Sequence, residues 1–350
     1  MNRLHLLLSI LTLAAFLTTL IAQNQTPGPR HLPARTIPVP ETVSPQMQKL
    51  IAAPLSPTWN VIPKTAAEWK AQVAAGAAAA TQALPALREK LGVKVEPVTV
   101  GGVKAYRVTP RNLPPENANR LLVHVHGGCY VSGPGESGTT EAVLMAGFGH
   151  FKIISVDYRM PPDHPYPAGL DDAMAVWKAA VKMADPKNMA IFGSSAGGAL
   201  TLSMVLRAKR DHLPMPAAIA PGTPMADLTN SGDTFRTNAM LDNVLVAPDA
   251  SCDKRAALYT NGHDLKDPFL SPLFGDMHGF PPAILTSGTR DLLLSNTVRV
   301  HRKLRQAGVE AFLQVYEGQS HGQYSRDVDA PETKEAFEEI AHFLDKHLGK

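Results

Sequence analysis

From Val93 onward the chain alternates between short strand-like runs and longer helix-like ones, a rhythm that few architectures accommodate. "VKVEPVTVGGVKAYRVTP" reads as a hairpin turning at Gly-Gly, and "RLLVHVHGG" supplies a third strand. After these come "KIISVDY" and a helix from Ala168 to Lys182, "MAIFGS" and a helix from Ala196 to Arg210, then "AAIAP". "AILTS" precedes a helix from Asn296 to Ala307, and "AFLQVYE" one from Glu332 to Leu348. Parallel strands need crossover helices that cover both faces, so the expectation is an α/β fold with a mostly parallel central sheet flanked by helices. The stretch from Met225 to His278 breaks the rhythm and is expected to rise above the sheet as part of a helical cap.

The first 92 residues are organised differently. Residues 1–22 combine Arg3 with an uncharged apolar run from Leu6 to Ala22, the layout of a signal peptide or, if uncleaved, of an N-terminal anchor. That leader predicts an exported, periplasmic or secreted protein, with anchoring to the membrane as the alternative. Residues 23–46 are Pro-rich and read as an extended tether. Residues 47–92 turn helical: Thr65 with Glu68 forms a capping box, Trp69 and Val73 share a face, and Pro85 is expected to break the run, giving two or three short cap helices. The catalytic domain is expected over 93–350. With only Cys129 and Cys252 in 350 residues, an exported chain has one bridge arithmetically open to it, but a chain of this size needs no disulfide staple, and two free thiols are expected.

The chemistry concentrates at Phe192 to Leu200, "FGSSAGGAL", set between a strand and a helix. A residue that stands at a sharp strand-to-helix turn needs very small neighbours. Gly193, Ser194, Ser195, Ala196 and Gly197 meet that demand in the frame G-x-S-x-G. Only Ser195 fits the frame, since Ser194 would be flanked by Phe192 and Ala196; Ser195 is the expected nucleophile and Ser194 an accessory. A hydroxyl needs a base to take its proton and a carboxylate to orient that base, in the chain order Ser, Asp, His for this architecture. Asp291 follows "AILTS" and His321 follows "AFLQVYE"; Asp327 and Asp329 come too late in that order. An acyl carbonyl under attack also needs fixed amide donors, and the strand "LLVHVH" empties into a Gly-rich turn at Gly127 and Gly128. The amides of Gly128, Cys129 and Ala196 are the expected oxyanion donors.

These elements together resemble the bacterial hormone-sensitive-lipase-like esterase family of the α/β-hydrolase fold, from about Leu91 to the C-terminus. His126-Gly127-Gly128-Cys129 is similar to its H-G-G-G element, and "GSSAGG" to its G-D-S-A-G-G element. "DYRMPPDHPYPAGLDDA" and "DPFLSPLFGDMHGFPP" resemble two of its connecting stretches, and "TRDLLLSNTVRVHRKLRQAGV" resembles most the ε-lactone hydrolase branch. Two positions depart from the family: Cys129 stands where its third glycine would be, and Ser194 where it has an aspartate. The resemblance implies a serine carboxylesterase for short- to medium-chain esters, without cofactor or metal, with a lactonase using the same residues as the alternative. A more distant alternative is a non-catalytic ligand-binding protein of the same fold. Aromatic residues such as Phe269 and Phe274 are expected to close the acyl pocket. The expected partner is a small-molecule ester or lactone, with a homodimer left open. Thirty-four basic against 31 acidic side chains give a formal charge of +3, too small and too scattered for nucleic acid.

Overall fold

The computed structural model describes Gly28, Pro29 and residues 32–349. The leader expected over 1–22 lies outside the described residues. Residues 1–38 and 39–350 form separate units, and the described part of the first has neither helix nor strand.

The second unit opens with α1 (Pro45–Ile51), whose N-cap Ser44 is tied by its amide and its hydroxyl to Glu332, both at 2.7 Å. Next is α2 (Ala66–Leu91), capped at Thr65 by a 3.2 Å bond from the Glu68 amide and ended by Gly92 at φ 63. The expected break at Pro85 does not occur: α2 runs through it. A proline removes one intrahelical bond, but the Ala-rich run before it has the highest helix propensity, and Leu84 is fully buried beside it.

The sheet is built from β1 (Val93–Val100), β2 (Val103–Pro110), β3 (Leu121–Val125), β4 (Lys152–Val156), β5 (Met189–Ser194), β6 (Ala218–Gly222), β7 (Ala283–Gly288) and β8 (Ala311–Tyr316). Between them lie α3 (Thr140–Gly149), α4 (Ala168–Ala180), α5 (Ala196–Arg210), the cap pieces α6 (Thr234–Thr237) and α7 (Ser251–Thr260), then α8 (Leu294–Gln306) and α9 (Pro331–His347). Strand order is β1-β2-β4-β3-β5-β6-β7-β8, antiparallel from β1 through β4 and parallel from β4 to β8.

Alternation along the strands divides the core between two faces. Val123, Val125, Ile154, Ile191 and Leu285 pack with Trp177 of α4, Leu200 of α5 and Val300 of α8. Leu122, Ile153, Phe192 and Ile284 pack with Leu144 of α3 and Phe337 of α9. The chain proceeds from β3 to β4 on one side and then jumps to β5 on the other, so the order reverses at β3 and β5. A crevice opens at the carboxyl ends of strands at such a reversal.

Candidate active site

Ser195 sits where that crevice opens. It joins β5 directly to α5 with φ 62 and ψ −122, a conformation L-residues avoid. Its amide donates to the Gly222 carbonyl at 2.9 Å, and its own carbonyl accepts from the Met225 amide at 3.0 Å, which pins the turn to the end of β6. The flanking glycines have a packing reason. A Cβ on either Gly193 or Gly197 would lie 2.0 Å from the Val125 carbonyl oxygen, so the end of β3 is pressed against the elbow.

Parallel register brings the remaining groups alongside. Ser194 lies opposite Gly222, which places Thr223 beside the elbow, and Gly288 lies opposite Tyr316, which sets the loops after β7 and β8 next to each other. There Asp291 and His321 meet: Nδ1–H of His321 donates to Asp291 Oδ1 at 3.0 Å. Asp291 Oδ1 also accepts from the Leu293 amide at 2.8 Å, and Oδ2 accepts from Ser287 Oγ at 2.9 Å and from the Thr223 hydroxyl, which itself lies 3.1 Å from His321 Nδ1. Burial drives the Asp291 carboxyl upward, but the His321 charge and the bonds from His321, Thr223 and Leu293 outweigh it and hold it below the ordinary carboxylate range.

The turn after β3 has unusual backbone geometry. Gly128, Cys129 and Tyr130 have φ of 112, 53 and 64, and the Gly128 carbonyl accepts from Val131 and Ser132. Among the described residues no acceptor takes the amide N–H of Gly128, Cys129 or Ala196. His126 supports this turn from below, with Nδ1–H donating to the Gly127 carbonyl at 2.7 Å and its ring stacked on Tyr158 at 4.2 Å. Burial lowers its pKa to about 4, so the ring is neutral. Tyr158 donates its hydroxyl to the His126 carbonyl at 2.8 Å.

Cys129 is not a free thiol. It is joined to Cys252 of α7, 123 residues away, with Cα atoms 5.5 Å apart. The expectation of two free thiols fails because the pairing is made through space: the bond joins the turn after β3 to α7, a contact that chain length and cysteine count cannot reveal.

Ser194 faces away from the turn after β3. Its amide and hydroxyl both donate to Glu141 of α3, and Tyr324 OH lies 2.5 Å from its Oγ. Glu141 in turn meets His124 at 3.3 Å, and His124 meets Ser155 at 2.9 Å. Asp242, fully buried in the cap segment, accepts from the amides of Val244 and Leu245 with one oxygen and from those of Leu292 and His321 with the other. Burial and then the neighbouring Asp291 charge raise its pKa. Thr223, Asp242, Glu141 and Tyr324 were not legible as site residues. Thr223 alone carried a local signal, its place at the carboxyl end of a strand.

A cavity of about 30 Å³ lies between the cap and the loop after β7, lined by Met225, Leu228, Phe235, Leu245, Cys252 and Leu293 among others. Phe269 and Phe274, expected to close the acyl pocket, do not line this cavity. Arg210 covers the Phe269 ring at 4.9 Å, and Phe274 is 37% exposed. A larger groove of about 950 Å³ runs between α2, the β1–β2 turn and residues 157–163; Ser195, Asp291 and His321 are not in it. Two ion pairs lie along it, Lys70 with Asp163 and Arg159 with Asp172. Among the described residues no group of three or more His, Cys, Asp or Glu is arranged to hold a metal ion.

Residues 122–325 match the protein family described as the alpha/beta hydrolase fold. An esterase of Acinetobacter venetianus is 30% identical over 72% of this chain and 82% of its own length. Among solved structures, an esterase designated E25 superposes with a TM-score of 0.88 at 42% identity, covering 92% of this chain and 99% of that one. A hormone-sensitive lipase from a metagenome library superposes with a TM-score of 0.69 at 30% identity, covering 73% and 87%.

Proposed function

Because the chain belongs to the hormone-sensitive-lipase-like esterases of the α/β-hydrolase fold and is a carboxylic ester hydrolase, we propose that it works through an acyl-enzyme on Ser195. The observation that carries this reading is the Ser195 backbone, held at φ 62 and bonded to the Gly222 carbonyl, next to Thr223, whose hydroxyl meets both members of the Asp291–His321 pair. Ser195 Oγ attacks the acyl carbon as His321 takes its proton through Nε2. Asp291, bonded to Nδ1–H, keeps the imidazole in the tautomer that can accept and stabilises the imidazolium. The carbonyl oxygen becomes negative as the tetrahedral intermediate forms. The amides of Gly128, Cys129 and Ala196, which donate to no acceptor among the described residues, receive it, with the positive end of α5 behind Ala196. His321 then hands its proton to the leaving alcohol, and water, deprotonated by the same ring, resolves the ester.

A relative named acetyl-hydrolase, from Streptomyces hygroscopicus, supports a short acyl group. Each methylene adds only about 0.8 kcal/mol of transfer energy, and none once the chain meets the wall. The buried disulfide supports an exported protein, since such bonds persist in oxidising compartments; mass spectrometry of the N-terminus of protein recovered from outside the cytoplasm tests that placement.

The decisive experiment pairs Ser195→Ala with fluorophosphonate labelling and with turnover of p-nitrophenyl esters from acetate to palmitate and of ε-caprolactone. Ser195→Ala is expected to lose labelling and nearly all turnover, with the parent most active on the shortest esters. Labelling that survives Ser195→Ala removes the nucleophile assignment; a strong preference for the lactone moves the substrate class to cyclic esters with the same residues.

A further inference from the structure

Cys129 and Tyr130 both hold left-handed backbone angles without being glycine, directly after Gly128, which is left-handed too. Such angles cost roughly 1–2 kcal/mol per L-residue, so a turn of this kind persists only if its surroundings hold it. The grip comes from one helix. Cys252 in the first turn of α7 is bonded to Cys129, and Tyr259 in its last turn lies flat on Tyr130, with ring centroids 4.1 Å apart and planes 2° from parallel. Cys252 and Tyr259 are seven residues apart, two turns along one face, and they grasp two consecutive residues of the turn.

The helix is itself fixed on its other sides. The Ser251 amide donates to the Trp59 carbonyl at 3.1 Å, Arg255 donates to Gln72 of α2 at 3.2 Å, and the Tyr259 carbonyl accepts from the Tyr166 amide at 2.8 Å. Tyr166 also sets the edge of its ring against Tyr259, 5.8 Å between centroids. Both sulfur-bearing residues are buried. A staple meant only to stabilise the chain could join any two segments; this one ends two residues after Gly127, which packs on Ser195, and on a residue whose amide donates to no acceptor among the described residues.

We propose that α7 is a covalent brace for the oxyanion donors, with Cys252 and Tyr259 as positioning residues that keep the amides of Gly128 and Cys129 aimed at the developing charge. This rests on the reading of those amides given above. Turnover then depends on the oxidation state of the Cys129–Cys252 bond. A dithiol such as dithiothreitol delivers two electrons and two protons, leaving two thiols here and becoming a cyclic disulfide itself.

The test uses the full chain and compares the parent, Cys252→Ala, Tyr259→Leu and the parent reduced under native conditions. Four quantities are measured: kcat and KM on p-nitrophenyl acetate, inhibition by an aryl trifluoromethyl ketone, and circular dichroism. Loosening two donors is expected to lower kcat about tenfold to a hundredfold, below the loss for deleting a donor outright. KM stays within about threefold, the ketone constant rises in step with the loss in kcat, and reoxidation of the reduced parent restores both. A folded Cys252→Ala with kcat within twofold of the parent overturns the brace. So does a reduced parent that loses its circular dichroism, because the bond then holds the fold rather than the turn. If Cys252→Ala does not fold, the reduced parent and Tyr259→Leu, which retains the bond, give the answer. A parent that the ketone fails to inhibit rejects the oxyanion assignment itself, whereas equal inhibition of parent and variants rejects only the brace.

Discussion

Lowering the pH from 7 to 5 is expected to remove about 2 kcal/mol of stability through one side chain, His126. Its ring is enclosed between Tyr158 and the glycine backbone at Gly133 and Gly138, and burial lowers its pKa from 6.5 to about 4. The folded state therefore refuses a proton that the unfolded chain accepts. Between pH 6.5 and 4 the unfolded state binds more protons, so stability rises with pH through that window and is lost as pH falls. The full difference of 2.5 units is worth about 3 kcal/mol, of which about 2 is lost by pH 5. Urea unfolding at pH 7, 6 and 5, for the parent and for His126→Asn, measures it. Asparagine retains a donor toward the Gly127 carbonyl but has no proton to gain. The variant is expected to be less stable at pH 7, having lost the Tyr158 stack, and to show a slope with pH shallower by about 2 kcal/mol over this range. Equal slopes, or a His126 ring that titrates near 6.5 by NMR, would refute the argument.

Asp242→Asn turns an amide NH₂ toward the Leu292 and His321 N–H groups, and about 1–3 kcal/mol of stability should go with the lost acceptor; thermal unfolding and kcat on a short ester should fall together, and an unchanged kcat would separate Asp242 from the Asp291 and His321 loops. Tyr259→Phe keeps the ring stack and removes a buried hydroxyl that has no partner among the described residues, so its urea midpoint should match or exceed the parent's. Gly193→Ala forces a Cβ onto the Val125 carbonyl and should yield little folded protein; a soluble variant with parental turnover would mean that the elbow can retreat from β3.

What the sequence revealed depended on how local the physics was. Ser195, Asp291 and His321 each sit just past a strand whose apolar run is self-evident, and the parallel order alone brings those ends together. The extent of α5 was legible to the residue because an abrupt glycine turn starts it. Residue pairs joined only through space were not legible. Asp242 has no motif around it and earns its place by accepting from two loops 50 and 79 residues away. Cys129 and Cys252 carried no pairing signal, since two cysteines in a large chain are read from compartment and size alone. The continuity of α2 across Pro85 joins the helix propensity of the Ala-rich run to tertiary support at the buried Leu84, and only the second lies beyond the sequence.

The carboxylate beneath Ser194 has a consequence for how this sequence can change. Where the resembling family keeps an aspartate beside its nucleophile, this chain has a serine, and Glu141 reaches that serine from α3. A carboxyl group thus stands beside the elbow in this chain too, carried by α3. Ser194→Asp alone would set a second carboxylate against Glu141 in a half-buried site, and one of the two is expected to take a proton or the elbow to shift. Paired with Glu141→Gln, the same substitution restores a single charge. The two positions are therefore epistatic: each change is harmful by itself and tolerated with the other, so an evolutionary path between the two motifs must cross a poorly active intermediate or change both sites together. Turnover of the two single variants and the double variant measures that coupling, and additive losses would show that the sites are independent.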